Sequence, residues 1–359
     1  MAFPKPPHES KGKINRAGDV LRSVITGQTI PASPLDLAER WRACHAYPIN
    51  TFQKTLRDKI KKLALKGNPI VAQRLKRMPT IISKLNRFPE MKLARMQDIG
   101  GVRAIMEDVS DVESLVKEYK QPSSNSRFEH QIAGEKDYIS QPRSEDGYRS
   151  HHLIYSYKNR KGPDYTGLLT EIQFRTKLQH IWATAVETMG VYLDQPLKSR
   201  RGDQEWIDYF ALVSSAFAHM ENLPLVPRFA HLDKKKTFDA VIQAEKKLDV
   251  LNKLTAFVVA ANRITQDKKT GFYHLIILNT AEKTVSTQSF ARQKFDDAKA
   301  AYSKIEARAT AGEKLEPVLV GVGSFTTLQR AYPNFFLDAG EFVRIVSGKI
   351  LNPEQSSNS

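Results

Sequence analysis

The feature that most constrains the fold is a change of hydrophobic period at Lys177. Residues 168–175 before it alternate as a strand does, with Ile172 and Phe174 on one face. The residues after it repeat at helical spacing and form an apolar stripe on one side of a helix. A strand that runs directly into an amphipathic helix predicts a sheet covered by helices.

The other face of the predicted strand is polar, and it carries Glu171, Gln173 and Arg175. The following helix also has polar residues away from its apolar stripe, namely His180, Thr184 and Glu187. A second strand is predicted at residues 152–157, and the polar, glycine-containing segment between the strands is typical of a hairpin loop. The polar strand face is therefore either a solvated edge or the floor of a polar site.

Tyr148 and Arg149 lie in a predicted turn, between Pro142 and the first of these strands. A turn presents its side chains at the surface, where a ring and a guanidinium can meet a planar base or a phosphate. Together with the polar strand face, this turn predicts a site for a phosphorylated substrate that carries an aromatic group.

Composition indicates a soluble globular protein. Its 359 residues, 41% hydrophobic and 26% charged, have room for about two domains. The single cysteine, Cys44, excludes a disulfide framework and a cysteine-based zinc cluster, and it fits a reducing compartment. There is no long apolar run and no signal-type segment, so the prediction is a cytoplasmic protein without a membrane span. The oligomeric state stays open.

The net charge of +16 is the second compositional clue. Residues 1–252 hold 41 Lys and Arg against 29 Asp and Glu, an excess of 12, and residues 253–359 hold 14 against 10, an excess of 4. A helix predicted at residues 50–65 adds a basic face of Lys54, Arg57, Lys61 and Lys62. These charges predict either an RNA-contacting surface or an ordinary solvated face.

The sequence contains neither a GxxxxGK[ST] nor a GxGxxG motif, which excludes P-loop enzymes and Rossmann dehydrogenases. Several of its blocks, in this order, resemble the synthetase domain of the RelA/SpoT family of nucleotide pyrophosphokinases: RLKRMPTIISKL at 74–85, QDIGGVR at 97–103, KDYI at 136–139, GYRS with His152, EIQFRT at 171–176, and HIWA followed by Glu187. The resemblance covers roughly residues 40–210.

This resemblance implies an α+β fold with a mixed sheet flanked by helices, similar to nucleotidyltransferases. It also implies transfer of pyrophosphate from ATP to a ribose 3′-hydroxyl, with Mg²⁺ as cofactor. Asp98 and Glu171 fall at the magnesium-binding positions, and Glu171 is the implied general base. The implied ATP-binding residues are Arg74, Lys76 and Arg103.

The family pattern also implies an acceptor site. Tyr148 is expected to stack on the acceptor base, and Lys136, Arg149 and His152 are expected near the acceptor's phosphate or sugar. The implied supporting residues are Gln173, Arg175, His180 and Glu187. The two glycines after Asp98, Gly100 and Gly101, are expected to let the backbone approach a ligand closely.

Three residues depart from the pattern of alarmone synthetases, because Arg143, Asp146 and His151 stand where those enzymes carry Lys, Asn and Leu. An acid at position 146 is expected to repel a polyphosphate acceptor such as GDP. The departure favours the 3′ end of tRNA as acceptor, and with it a toxin that inhibits translation. The alternatives are a (p)ppGpp synthetase acting on GDP or GTP, and an inactive sensor of RNA or protein. The presence of Asp98 and Glu171 argues against the sensor.

The predicted domain boundaries follow from a change of pattern near residue 254. We expect a synthetase domain at 1–232, a helical connector at 233–254, a smaller α+β domain at 255–352 and a disordered tail at 353–359. The smaller domain is predicted to begin with a strand at residues 255–263. It has no cluster of catalytic residue types, which indicates a regulatory role.

The layout of the second domain resembles the antitoxin domain of CapRel-type fused toxin–antitoxin proteins. In those proteins a YxxY element is thought to cover the ATP pocket, and here Tyr332 and Phe335 stand in its place. The resemblance implies autoinhibition that a phage structural protein, such as a major capsid protein, relieves in anti-phage defence. The alternative is that both residues are ordinary core aromatics.

Overall fold

The structure is a computed structural model that describes residues 3–23, 31–121, 128–193, 195, 197, 202–266, 272–279, 281–282, 284–321 and 335–352. The predictions for Tyr332 and for the tail at 353–359 lie outside the described residues. Within the described part, no helix is both long enough and apolar enough to span a bilayer.

The chain forms two compact units. The first comprises Met1–Ile139 and Ser150–Lys177, and the second comprises Ser140–Arg149 and Leu178–Ser359. This division does not coincide with the predicted boundary at residue 232, because the chain changes units at 139, at 149 and again at 177. Each unit is described by itself below.

The first unit is built on a five-stranded mixed sheet. Its strands are β1 (Ile70–Leu75), β2 (Gly100–Met106), β3 (Gln131–Asp137), β4 (His151–Ser156) and β5 (Leu169–Thr176), in the order β1-β2-β5-β4-β3. β2 and β5 are parallel, and the other neighbouring strands are antiparallel. The predicted fold class, a mixed sheet flanked by helices, is confirmed.

In the described residues of the first unit the helices are α1 (Lys11–Ser23), α2 (Ala32–Cys44), α3 (Ala46–Leu63), α4 (Met78–Arg87) and α5 (Val109–Lys120). Short 3₁₀ turns lie at Leu93–Arg95 and Pro163–Tyr165. α5 begins at a capping residue, because the Asp108 carboxylate accepts the backbone N–H of Asp111 at 2.9 Å. α4 has proline in its first turn and buries Met78, Ile81 and Leu85, which lie on one helix face.

The predicted hairpin is confirmed, since β4 and β5 pair antiparallel with His152 opposite Gln173. The basic stretch that begins at Arg74 ends strand β1 with its first two residues. β1 lies at the edge of the sheet, and none of its residues is fully buried. Such a strand lacks the alternation of apolar residues by which a half-buried strand is found in sequence.

The second unit contains α6 from its second residue onward and all later elements. Its helices are α6 (Lys177–Tyr192), α7 (Gln204–Glu221), α8 (Lys234–Leu248), α9 (Val250–Gln266), α10 (Phe295–Thr310) and α11 (Phe335–Ile345), with a 3₁₀ turn at Pro227–Phe229 and a π-helical turn at Val346–Leu351. Strands β6 (Tyr273–Asn279), β7 (Thr284–Phe290) and β8 (Leu315–Gly321) form an antiparallel sheet in the order β7-β6-β8. The predicted C-terminal α+β part is therefore present.

The strand predicted at residues 255–263 is wrong, because these residues lie in helix α9. The buried residues Val250, Leu254 and Phe257 recur at helical spacing, and the β-branched residues that suggested a strand follow them. The predicted connector helix at 233–254 is also interrupted. α8 ends at Leu248, and Asp249 adopts a left-handed conformation with φ of 51°.

The core of the second unit crosses the predicted domain boundary. Phe342 of α11 is fully buried, and its ring packs against those of Phe210 and Phe217 in α7, with centroid distances of 6.1 and 6.0 Å. The indole N–H of Trp182 in α6 donates to the Phe210 carbonyl at 2.8 Å. Helix α11 thus completes a core that begins in α6 and α7.

We expect Phe342→Ala to lower the free energy of unfolding of the full-length chain by about 3–5 kcal/mol, because it leaves a cavity between α11 and α7. Urea unfolding followed by circular dichroism measures this loss. Phe272→Ala is the matched control, since that ring is 39% exposed, and it is expected to cost less than about 1 kcal/mol. Equal, small losses in both variants would contradict the packing of α11 in this core.

Candidate active site

Two acidic residues meet at the start of the parallel pair β2–β5. Gly101 of β2 lies opposite Glu171 of β5, and Asp98 lies two residues before the first residue of β2. The negative charge of Asp98 acts to raise the pKa of Glu171, which shows that the two carboxylates share one electrostatic environment. Two carboxylates at the same strand ends require cations or hydrogen-bond donors beside them.

Two lysines hold Asp98. The ammonium of Lys76 lies 2.8 Å from its Oδ2, and that of Lys84 lies 2.9 Å from its Oδ1. Lys76 follows β1, and its backbone N–H donates to the Ile99 carbonyl at 2.8 Å, which fixes it beside the start of β2. Burial raises the pKa of Asp98, but the two ammonium groups outweigh it and hold that pKa well below its ordinary value.

Glu171 is held by an imidazole and an amide. His152 Nδ1 lies 3.0 Å from its Oε1, and the Gln173 side-chain amide donates to its Oε2 at 2.7 Å. Burial raises the pKa of Glu171, but the neighbouring His152 and Gln173 bring it down to about 2. Glu171 is therefore ionised at neutral pH although its side chain is only 16% exposed.

Gln173 connects Glu171 to two arginines. Its carbonyl oxygen Oε1 accepts from Arg103 Nε at 3.3 Å and from Arg175 Nη2 at 3.0 Å. These bonds orient the amide so that its NH₂ group faces Glu171. The polar face of β5 is therefore the floor of a charged site and not a solvated edge, because β5 lies between β2 and β4.

The register of the sheet explains how distant residues come together. Cross-strand partners share one face of a sheet, and one row of partners runs from Lys136 through His152 and Gln173 to Arg103. The next row contains Arg74, Gly101 and Glu171. Two of the predicted ATP-binding residues, Arg74 and Arg103, and two of the predicted acceptor residues thus lie on the same sheet face as Glu171.

Gly100 has a packing role. A Cβ on Gly100 would lie 2.9 Å from Ile49 Cγ1, so glycine is needed where α3 crosses β2. A Cβ on Gly101 would lie 3.4 Å from the carbonyl oxygen of Glu171, which is an ordinary contact. The close approach of a ligand to these glycines stays a prediction.

The other predicted acceptor residues, Tyr148 and Arg149, belong to the second unit. Arg149 is only 3% exposed, and its guanidinium donates to Ser214 Oγ at 3.0 Å and to the Pro224 carbonyl at 2.6 Å. Burial lowers the pKa of Arg149 to about 10. The structure therefore gives Arg149 a packing role on α7, and its contact with an acceptor stays a prediction.

Asp146 has a partner that sequence reasoning did not foresee. Its carboxylate accepts from Arg143 at 2.6 Å and from the backbone N–H of Tyr148 at 3.0 Å. The positive charge of Arg143 therefore offsets the repulsion of polyphosphates that was expected from the acid at position 146.

The remaining predicted residues lie in the second unit. His180 is buried in α6, and its Nε2 lies 3.1 Å from Asp338 Oδ2 of α11. Glu187 is half-buried on the same helix. Phe335 is the first residue of α11. The supporting roles of His180 and Glu187, and the autoinhibitory role of Phe335, stay predictions.

Lys84 was not identified as a site residue from the sequence. It lies in α4, within the block RLKRMPTIISKL, where nothing local distinguishes it from a solvated lysine on a helix. The only signal was its membership of a block that also contains Arg74 and Lys76. Its pairing with Asp98 depends on the packing of α4 beside the start of β2.

The donor set fits the implied Mg²⁺ in chemistry. Among the residues that the structure describes, no group of three or more His, Cys, Asp or Glu side chains could hold a metal ion. Mg²⁺, however, is usually bound by one or two carboxylates, with the other ligands supplied by substrate phosphates and water. Two ionised carboxylates, Asp98 and Glu171, meet that requirement.

The stability of the protein should depend on the ionisation of Glu171. Its pKa is about 2 in the folded state against 4.5 ordinarily, so its contribution is present above about pH 4.5 and is lost as the pH falls towards 2. The shift corresponds to roughly 3 kcal/mol. The free energy of unfolding, measured with urea at several pH values, should therefore fall less between pH 4.5 and 2 in Glu171→Gln than in the unaltered chain.

Glu245→Gln is the control with the opposite sign. Burial raises the pKa of Glu245, so its contribution is present below its ordinary pKa and is lost as the pH rises through the folded value. An unchanged pH profile in Glu171→Gln would contradict the pairing of Glu171 with His152.

Comparisons with known proteins agree with the chemistry of this site. Residues 73–195 match the region found in RelA / SpoT proteins. GTP pyrophosphokinase YjbM of Bacillus subtilis (strain 168) is 34% identical over 122 residues, which are 33% of this chain and 55% of the relative. GTP pyrophosphokinase YwaC of the same strain is 34% identical over 145 residues, which are 38% of this chain and 66% of the relative. The chain thus spans just over half the length of YjbM.

Solved structures are also similar over about half of the chain. Small alarmone synthetase 1 from Bacillus subtilis, bound to its product pppGpp, is 23% identical and covers 51% of this chain and 92% of its own, with a TM-score of 0.42. Small alarmone synthetase 2 from the same organism is 22% identical and covers 51% and 94%, with a TM-score of 0.41. The resemblance to the RelA/SpoT family found in the sequence is confirmed for residues 73–195. This stretch contains Lys76, Asp98 and Glu171.

Proposed function

We propose that this chain transfers pyrophosphate from ATP to a hydroxyl group of a nucleotide or RNA acceptor. One observation carries the proposal. Asp98 and Glu171 are both ionised, and Asp98 pairs with Lys76 and Lys84. Arg103 lies in the row of strand partners next to that of Glu171. All these residues lie within a stretch that matches the region found in RelA / SpoT proteins. Phosphoryl-type transfer needs positioned cations and an oriented nucleophile, and it needs little covalent chemistry from the protein.

The cations of the site have a direct role in this proposal. Lys76, Arg74 and Arg103 neutralise the ATP phosphates, because no P-loop is present to do so. Lys84, which pairs with Asp98, adds a further positive charge to the site. Asp98 and Glu171 would hold Mg²⁺, which when bound offsets phosphate charge.

Glu171 is the group that is proposed to take the proton of the attacking hydroxyl. With a pKa of about 2, Glu171 is ionised but weakly basic. His152, with Nδ1 3.0 Å from Glu171 Oε1, stabilises this carboxylate. The acceptor-binding role of His152 expected from the sequence stays a prediction.

The proposed acceptor is the 3′ end of tRNA. Lys54, Arg57 and Lys61 of α3 are exposed and form no ion pair with any described residue, whereas Lys62 pairs with Glu118 at 3.0 Å. A row of exposed cations on one helix suits a polyanion such as RNA. The pairing of Arg143 with Asp146 also removes one cation that a nucleoside polyphosphate could use.

The second candidate acceptor is GDP or GTP, which would make the product an alarmone. It is favoured by the names of two relatives, YjbM and YwaC, both GTP pyrophosphokinases. The two candidates differ in the acceptor alone, so one labelling experiment separates them.

The full-length chain, incubated with ATP labelled on the γ-phosphate, is expected to label tRNA in preference to GDP or GTP. Asp98→Asn and Glu171→Gln should each reduce labelling at least about 100-fold, since each removes a charge that the transition state requires. Asp19→Asn is the matched control, because Asp19 also pairs with two cations, Lys92 and Arg22, and lies outside the site. Preferential labelling of GDP or GTP would establish the second candidate.

The proposal extends to regulation by the C-terminal part of the second unit. We propose that the segment with Tyr332 and Phe335 restrains transfer, and that a phage structural protein, such as a major capsid protein, releases it. A trigger can do this only by binding the active form more tightly. A fragment ending at residue 254 is unsuitable for the test, because it would remove Phe342 from the core around Phe210.

Tyr332→Ala in the full-length chain is therefore expected to raise labelling and to arrest bacterial growth without a trigger. The labelling rate of the variant is compared with that of the unaltered chain. Folded Tyr332→Ala protein with an unchanged rate would exclude restraint by this residue. Absence of labelled product from both proteins, with all three acceptors, would overturn the proposed transferase.

A further inference from the structure

We propose that two copies of this chain associate through strand β7 of the second unit, in a dimer related by a two-fold axis. The two β7 strands pair antiparallel in this dimer, and they join two three-stranded sheets into one sheet of six strands. The association does not depend on the reaction proposed above.

Strand β7 is an edge strand without the usual protection. An edge strand presents N–H and C=O groups that can pair with another chain, and proteins commonly block them with a charge, a proline or a bulge. The two sheets formed by the described residues have four edge strands. β1 carries Arg74, β3 has a bulge between Ile132 and Gly134, and β8 contains Pro317. β7 has no charged residue, no proline and no irregularity in its pairing with β6.

The strand is regular and exposed along its length. All seven residues of Thr284–Phe290 pair with β6 in one continuous register. His274 Nδ1 of β6 lies 3.0 Å from Ser289 Oγ, which adds a side-chain contact between the two strands. The exposed residues of β7 are Thr284, Ser286, Gln288 and Ser289. A regular, uncharged and exposed edge of this length is a template for a further strand.

A second copy of β7 suits this template. The antiparallel register that pairs the whole strand with its copy is centred on Thr287, which then lies opposite Thr287 of the second copy. The same register sets Thr284 opposite Phe290 and Ser286 opposite Gln288. Threonine pairs, and pairs of an aromatic with a β-branched residue, are favourable across antiparallel strands, whereas like charges are unfavourable. Self-pairing therefore gains favourable pairs and brings no like charges together within the strand.

The turns that flank β7 carry complementary charges. Glu282 lies in the turn before the strand and Arg292 lies in the turn after it, and both are exposed. In an antiparallel pair the turn before one strand lies beside the turn after the other. The register centred on Thr287 thus brings Glu282 next to Arg292 of the second copy, and the two-fold axis forms this pair twice. Lys283, which follows Glu282, lies outside the described residues. Two such pairs favour a second copy over a strand of unrelated sequence.

Exposed aromatic rings lie beside the end of β7. Phe272 and Phe295 are 39% and 44% exposed, and each ring packs against Tyr273, with centroid distances of 5.0 and 4.8 Å. Tyr273 is the strand partner of Phe290, the last residue of β7. Aromatic rings and arginine are enriched in protein interfaces. Two strands and these rings form a small interface, so we expect a reversible dimer with a Kd of roughly 1–100 µM.

Sedimentation equilibrium of the full-length chain, at about 1–200 µM, is expected to show a monomer–dimer equilibrium. Ser286→Lys combined with Gln288→Lys sets lysine opposite lysine twice, so the Kd of the dimer is expected to rise at least about tenfold. The matched control adds the same charge elsewhere. Gln243→Lys combined with Ser303→Lys changes exposed positions of α8 and α10, and it is expected to leave the Kd unchanged.

Glu282→Arg and Arg292→Glu test the register. Each variant meets its own copy with two pairs of like charges, so its Kd is expected to rise about tenfold. In an equimolar mixture, a heterodimer of the two variants has two pairs of opposite charges again. The mixture is therefore expected to associate with about the Kd of the unaltered chain.

Circular dichroism and thermal unfolding establish that each variant is folded. An unaltered chain that stays monomeric up to about 200 µM would overturn the inference and leave the edge to a strand of another protein. A dimer that the two lysines leave intact would also overturn it, because such a dimer uses another surface. Failure of the mixed variants to associate would exclude the register centred on Thr287. These measurements need neither ATP nor an acceptor, so their outcome is separate from that of the labelling experiment.

Discussion

The parallel pairing of β2 with β5 is the constraint on which the site depends. It sets Gly101 opposite Glu171 and so brings the acid before β2 into the electrostatic environment of the acid on β5. Residues between the two strands form α5, β3 and β4, so the pairing is non-local and is stabilised by the whole sheet. The glycine at position 100 permits it, because α3 packs directly against the backbone there.

The acidic residues of the candidate site are charged although they are largely buried. Asp98 and Glu171 would each lose ionisation on burial, and each is kept ionised by neighbours: two lysines in one case, an imidazole and an amide in the other. The two lysines that stabilise Asp98 are also cations of the kind that the proposed transfer requires beside the ATP phosphates. The same principle operates in the turn of the second unit, where Arg143 and Asp146 balance each other at 2.6 Å.

Helix α11 is part of the core of the second unit, and this limits how the proposed regulation can be tested. α11 packs its Phe342 ring into the core of α7, and Asp338 of α11 lies 3.1 Å from His180 of α6. A part of the chain that completes a core is not removed without loss of that core. Any control by this part is therefore expected to act through local rearrangement and through point contacts, which single substitutions in the full-length chain can probe.

The sequence by itself determined the elements whose hydrophobic period is strong: β4, β5, α6 and the polar face with Glu171 and Gln173. The motifs at residues 74–85 and 97–103 also identified Lys76 and Asp98 as candidate site residues. Only the tertiary structure decided that residues 255–263 are helical, because β-branched residues occur in both states and burial on α9 selects between them. It likewise decided the partners of buried charges, such as Lys84 with Asp98, because local patterns record the period of a chain and not which distant side chain lies beside it.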